Sequence, residues 1–261
     1  MSEHKSDFMG YPLYVGSPEK LFDDISALVL DGDGAKSRAR WLACINPHSY
    51  VESQRDTEFS AALKFADWLI PDGIGIPIAS KILGTPLKSR ITGYDVFVNV
   101  LSKLDLAKGC KVFFLGSTQE TLDKINIKIT RDYVNVVCCG TFSPPFADAF
   151  TEEQNRAMIN AINNSEADIV WVGMTAPKQE KWIFENISQL DTKFVAAVGA
   201  VFDFYAGNVR RPKFFQVVGL EWLYRLLQNP VRLWKRTLIS APLFAFDIVV
   251  IKINSLFKTK I

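Results

Sequence analysis

Asp72 lies in Pro71-Asp72-Gly73, where a carboxylate can take a proton from a substrate hydroxyl or simply shape a turn. Other side chains with chemical reach are spread along the 261 residues. Asn46 ends an apolar run, with Cys44 two residues before it. Arg90, in Ser89-Arg90-Ile91-Thr92-Gly93-Tyr94-Asp95, can meet phosphate oxygens bidentately or bridge to Asp95. Gln179, after Pro177-Lys178, offers an amide to a ligand or to a helix face. Asp203, in Val201-Phe202-Asp203-Phe204, suits ribose hydroxyls and equally suits a helix N-cap.

Several kinds of chemistry are disfavoured. Asp31-Gly32-Asp33-Gly34 contains a D-x-D pattern of the sort that holds a divalent cation across a diphosphate, but Asp-Gly pairs are strong turn formers. The turn reading is preferred, and no metal or other cofactor is expected. His4 and His48 are too few for a histidine-rich metal site. Cys44, Cys110, Cys138 and Cys139 lack metal-ligand spacing, and the placement of three of them in or beside apolar runs fits small buried side chains in a reducing cytoplasm. No G-x-G-x-x-G follows a candidate strand; Asp72-Gly73-Ile74-Gly75 comes nearest and lacks the third glycine. A Walker A loop is also missing, so hydride transfer and ATP hydrolysis are not expected.

The elements that must hold these residues alternate in type. Strand-like runs occupy Trp41–Ile45, Trp68–Ile70, Lys111–Leu115, Val134–Cys139, Ile169–Val172 and Phe194–Val198. Between them, Phe59, Ala62, Leu63 and Ala66 follow Asp56 at helical spacing, as Leu122, Ile125 and Ile129 follow Thr118. Thr151 with Gln154 forms a capping box, and Pro177 suits a first helical position. This order predicts an α/β fold with a doubly wound, mostly parallel, Rossmann-like sheet. Ligands bind such sheets beyond the carboxyl ends of the strands. Asn46, Pro71-Asp72-Gly73, Gly116-Ser117, Gly173 through Gln179, and Gly199 through Asp203 all fall there, which makes Ser117 and Gly199 candidate binding residues too.

Charge divides the chain. The net charge is +2, but Arg210–Ile261 carries ten Lys or Arg against Glu221 and Asp247, a local +8 that leaves −6 for residues 1–209. A basic tail on an acidic body suggests an anionic partner or a solvated face. Leu220–Leu227 and Val231–Leu238 read as helices broken at Asn229-Pro230. Pro242, Asp247 and Lys252 interrupt the apolar run Leu238–Phe257, so it is expected to lie on a membrane rather than cross it. Phe246, Val249, Val250, Ile253 and Phe257 would form its apolar face. The expected division is residues 1–208 as the catalytic domain and 209–261 as a helical, basic, membrane-associating appendage. The N-terminus lacks a signal-peptide layout, so export is not expected.

Four long segments carry a specific resemblance: IPDGIGIPIASKILGTPLKSRITGYDVF, VGMTAPKQEKWI, VGAVFDFYAGNVRRP and GLEWLYRLLQNPVRLWKR. In order and near-family spacing they resemble the WecG/TagA/CpsF family of glycosyltransferases, from about Ala43 to Arg236. The resemblance implies an inverting, metal-independent transfer from a UDP-sugar to a polyprenyl-diphosphate-linked sugar at the cytoplasmic face of the membrane. It puts the catalytic base at Asp72, a sugar contact at Asn46, and diphosphate contacts at Arg90 and Gln179. Members often carry threonine where Cys44 stands, and a thiol bonds more weakly than a hydroxyl. Arg225 and Arg232 match arginines that the family's C-terminal appendage is thought to bring to the diphosphate.

The expected partners are therefore a UDP-sugar donor, a polyprenyl-diphosphate-linked acceptor and an anionic membrane surface, with room for a homo-oligomer. Nucleic acid is not expected, because the basic residues cluster in an apolar, aromatic-rich tail. The rival function is a non-catalytic nucleotide-sugar-binding or scaffold subunit of a polysaccharide assembly complex.

Overall fold

Side-chain alternation along the strands assigns each residue to one of two buried faces. The computed structural model describes residues 4–31, 38–85, 87, 90–209, 221–228 and 230–258. Its strands are β1 (Lys5–Phe8), β2 (Tyr11–Tyr14), β3 (Arg40–Ile45), β4 (Trp68–Pro71), β5 (Cys110–Gly116), β6 (Val136–Phe142), β7 (Ile169–Gly173) and β8 (Phe194–Ala197). They form one sheet in the order β1-β2-β4-β3-β8-β7-β5-β6, parallel from β2 to β6. Trp41, Ala43, Ile45, Val170, Val172, Val195 and Ala197 enter one core; Leu42, Ile169, Trp171, Phe194 and Ala196 enter the other. Burial on both faces explains why these strands read as continuous apolar runs.

The first core is covered by α2 (Pro47–Ser53), α3 (Thr57–Phe65), α4 (Gly75–Leu83), α7 (Glu152–Asn164), α8 (Lys178–Asn186) and a C-terminal helix, Ala241–Lys258. The second is covered by α1 (Pro18–Asp31), α5 (Gly93–Ala107), α6 (Gln119–Asp132) and α9 (Val201–Ala206). After β4 the chain crosses the sheet through α4 and α5 to β5 and β6, then fills inward with β7 and β8. The topological switch therefore lies at β3, between β4 and β8.

All six expected strands are present, and Asp56, Thr118 and Thr151 cap their helices as expected. The β1–β2 hairpin is an addition. Its strands are four residues each, too short to show a period, and Met9 and Gly10 both take positive φ, as a type I′ hairpin turn requires. Pro177 stands at the N-cap, one residue before the helix it was expected to begin.

The C-terminal region is helical over Glu221–Gln228 and Pro230–Trp234, then passes through a π-helical stretch, Lys235–Ser240, into Ala241–Lys258. Within this region Thr237–Ser255 is long and apolar enough to cross a membrane by length and composition, with mean hydropathy 1.6 and 17% of it buried. The buried part is its body-facing side. Phe244 and Ile248 join the first core, and Asp247 and Lys252 are half-buried on the same side. Phe246, Val249, Val250, Ile253 and Phe257 are all exposed.

Candidate functional site

Asn46 and Asp72 leave the sheet side by side. Ile45 pairs with Pro71 in the β3–β4 ladder, and the Asp72 N–H donates to the Ile45 carbonyl at 2.8 Å. Asn46 caps α2, its Oδ1 accepting from the N–H groups of His48 and Ser49 at 3.0 and 3.1 Å. Such a cap contributes about 1 kcal/mol and leaves the amide NH₂ of Asn46 available to a ligand. Gly73 takes φ +76, which lets the chain turn sharply after Asp72. A Cβ on Gly75 would come within 2.3 Å of the Pro47 ring, so the turns after β3 and β4 pack directly together.

Cys44 lies two residues deeper, within β3. Its Sγ is 3.8 Å from the Ala197 carbonyl oxygen, and a Cβ on Gly93 would lie 3.4 Å from it. Burial pushes its thiol well above the ordinary value, and the charges of Asp72 and Glu180 push the same way. The thiol is therefore neutral and a weak donor. Gly93 opens the 15-residue α5, whose N-terminus carries a full capping box: Thr92 and Asp95 satisfy each other's backbone N–H groups. Asp95 is engaged there, and among the described residues no ion pair joins it to Arg90. Arg90 is half-buried two residues ahead of the N-cap of this helix. A guanidinium beside a helix N-terminus favours an anion.

The wall opposite comes from β7 and β8. Gly199 takes φ +53, and its N–H donates to Gln179 Oε1 at 3.0 Å. Gln179 Nε2 donates in turn to Glu180 Oε1 at 2.8 Å. Gln179 thus braces the turn after β8, a role its place in the sequence did not suggest. Glu180 is 2% exposed, and burial raises its carboxyl to about 7, outweighing the hydrogen bonds from Gln179 and its own backbone. Sequence reading passed over Glu180. Its position beside Gln179 in Pro-Lys-Gln-Glu was the one available signal, and burial cannot be read from a motif. Lys178 turns away, donating to the Ala147 carbonyl and lying 4.0 Å from the Phe150 ring centre. Asp203 is half-buried in the first turn of α9; Ala200 holds the N-cap position instead.

Ser117 lies farther along the same edge, beyond β5. It takes φ +61, unusual for a residue with a Cβ, and its carbonyl accepts from Ser143 Oγ at 2.8 Å. A Cβ on Gly116 would meet the Gly173 backbone at 2.8 Å, so the β5 and β7 ends are in close contact.

Asp31 ends α1 at the other edge of the sheet. Two residues earlier, the Val29 carbonyl accepts from Lys193, immediately before β8 begins. Asp33 lies outside the described residues, as do the side chains of Arg225 and Arg232, whose backbones belong to Glu221–Gln228 and Pro230–Trp234.

The C-terminal region docks next to Asn46. Ser240, buried, shares a hydrogen bond with His48 Nδ1, and the Phe244 ring meets Tyr50 edge-on at 5.3 Å between centroids. Burial, aided by the charge of Asp247, raises the Tyr50 hydroxyl to about 12. On α4, Ile74, Ile78 and Ile82 form an exposed stripe at four-residue spacing. The C-terminal helix packs against α4 and α2.

The sequence profile of the glycosyl transferase WecG/TagA/CpsF family matches residues 6–257. A Bacillus spizizenii protein named N-acetylglucosaminyldiphosphoundecaprenol N-acetyl-beta-D-mannosaminyltransferase is 34% identical over 204 residues, covering 78% of this chain and 76% of its own. Proteins of the same name from Bacillus subtilis and Staphylococcus aureus strain MW2 are 32% and 30% identical over 211 residues. They cover 80% of this chain and 78% and 79% of theirs.

Proposed function

The chain belongs to the WecG/TagA/CpsF family of glycosyltransferases, and from that premise we propose that it transfers N-acetylmannosamine from its UDP-sugar to N-acetylglucosamine on a polyprenyl diphosphate. The carrying observation is the pairing of Asp72 with Asn46 where β4 and β3 end, opposite the N-terminus of α5. Asp72 removes the proton from the acceptor hydroxyl while that oxygen attacks the anomeric carbon. The new glycosidic C–O bond forms as the bond to the β-phosphate oxygen breaks, and UDP leaves with the electron pair. One displacement inverts the anomeric centre.

Charge grows on the departing β-phosphate. Arg90, two residues ahead of the α5 N-cap, and the α5 N-terminus itself offer positive charge to it, and donors fixed before the reaction stabilise such charge most. Asn46 offers its amide NH₂ to a sugar hydroxyl, and Asp203 suits the ribose. Arg225 and Arg232 complete the diphosphate contacts in this reading. No metal takes part: Asp31, half of the only D-x-D pattern, sits at the opposite sheet edge.

Binding is peripheral, at the cytoplasmic face. The C-terminal helix keeps Asp247 and Lys252 on the body side with Phe244 and Ile248 and exposes Phe246, Val249, Val250, Ile253 and Phe257, and the exposed isoleucines of α4 adjoin it. The test is release of UDP from UDP-N-acetylmannosamine in the presence of a polyprenyl-diphosphate-linked N-acetylglucosamine, with the product identified by mass spectrometry. Transfer should occur and persist in EDTA. Donor binding without transfer would instead favour a non-catalytic nucleotide-sugar-binding subunit.

A further inference from the structure

Glu180 is a buried carboxyl that the reaction above does not use. Oε1 accepts from Gln179, while Oε2 is fully buried and makes no hydrogen bond among the described residues. Stability alone gives no reason for such a group. An apolar side chain of the same volume would avoid desolvating two oxygens and leaving one unbonded.

What the carboxyl achieves is orientation. The Gly199 N–H, which lies 3.3 Å from the Val172 carbonyl, makes its shorter bond, 3.0 Å, to Gln179 Oε1, so the amide presents its oxygen to this turn. Nε2 then faces Glu180, and one of its two hydrogens is taken by Glu180 Oε1. The second hydrogen remains for a ligand at the turn after β8. We propose that Glu180 is a positioning residue of the donor site, fixing through Gln179 which end of that amide meets the donor diphosphate. This rests on the nucleotide-sugar reading above.

Protonation adds a consequence. Glu180 acts on the Cys44 thiol of β3, which Asp72 after β4 and Asp95 on α5 reach as well; across α8, Lys181 pairs with Asp56 and Glu58 of α3 and lies near Glu185. The groups on the site side are acids. With its proton on, Glu180 adds no charge to a floor that must receive a diphosphate. Once ionised, it repels that anion. Its folded pKa lies above the ordinary 4.5, so the folded state binds the proton more tightly than the unfolded one. This contribution to stability falls as pH rises from about 4.5 to about 7.

The experiment measures calorimetric binding of UDP-N-acetylmannosamine to the full chain, with unfolding midpoints. Glu180→Gln keeps an acceptor for Gln179 and cannot ionise; it should bind within about twofold of wild type at neutral pH. Glu180→Met fills the same space without an acceptor; it should bind about tenfold more weakly, the worth of one well-placed hydrogen bond, with an unfolding midpoint unchanged or raised. Wild-type affinity should decline as pH passes about 7, while that of Glu180→Gln stays level. Equal affinity in wild type and Glu180→Met, or a pH decline retained in Glu180→Gln, would overturn the assignment. A wild-type chain that neither binds nor transfers the sugar nucleotide would remove the functional reading itself, and this inference with it.

Discussion

Ser240 and His48, 192 positions apart, share a 2.8 Å hydrogen bond that ties the C-terminal helix to α2, whose cap is Asn46. Four residues on, Phe244 is 4% exposed and packs on Tyr50. The C-terminal region is therefore both part of the core and a wall beside the site. Phe244→Ala should destabilise the chain by about 3–5 kcal/mol, as loss of a buried aromatic ring does. Ser240→Ala should cost about 1 kcal/mol. Truncation after Arg211 should lower the unfolding midpoint and abolish transfer, even to a short water-soluble acceptor. Urea denaturation and a soluble-acceptor assay check both. A truncated chain with full stability and activity would reduce the region to a detachable tether.

The outer side of the same helix is the face offered to lipid. Phe246 and Ile253 are 65% and 47% exposed, so a charge there disturbs no packing. Phe246→Glu with Ile253→Glu should leave the unfolding midpoint within about 0.5 kcal/mol of wild type. It should also move most of the protein from anionic vesicles to the soluble fraction, because an apolar face supplies the burial that holds an interfacial helix. Ile78→Glu on α4 should act in the same direction. Unchanged sedimentation with vesicles in all these variants would show that lipid meets another surface.

Strand positions were legible because a parallel sheet covered on both faces needs unbroken apolar runs, and six such runs stand between helix signatures. The ends of those strands carried most of the site, since Asn46, Asp72 and Gly199 follow apolar runs directly. What the sequence hid was mutual arrangement. Gln179 looks like a ligand-facing amide in the motif, but the turn at Gly199 uses its oxygen. Glu180, which no motif singles out, is buried because α8 lies against the sheet with its first turn inward. Asp247 and Lys252 looked like flaws in an apolar helix. Helical spacing places them with Phe244 and Ile248 on the side that packs on the body, a distinction that hydropathy averaged along the run erases.

Cys44 serves as an internal reporter on Asp72. The Asp72 backbone N–H bonds to Ile45, and Gly73 supplies the turn, so Asp72→Asn keeps the local fold. Turnover should fall by about 10²–10⁴-fold, the usual worth of a general base, while UDP binding stays near wild type. Loss of activity alone could reflect a displaced loop, and the Cys44 thiol separates the two cases. Its pKa is raised first by burial and then by the charge of Asp72, more than by any other group. Removing that charge while burial is unchanged should lower the pKa and increase the thiolate fraction at a given pH. The pH profile of Cys44 alkylation, followed by mass spectrometry, should therefore shift to lower pH in Asp72→Asn with its high-pH plateau rate unchanged, whereas a displaced loop would expose the thiol and raise that plateau. A variant retaining half its turnover would show that Asp72 is not the base. An inactive variant with unchanged Cys44 reactivity would show that the Asp72 carboxylate does not face the floor where β3 and β4 end.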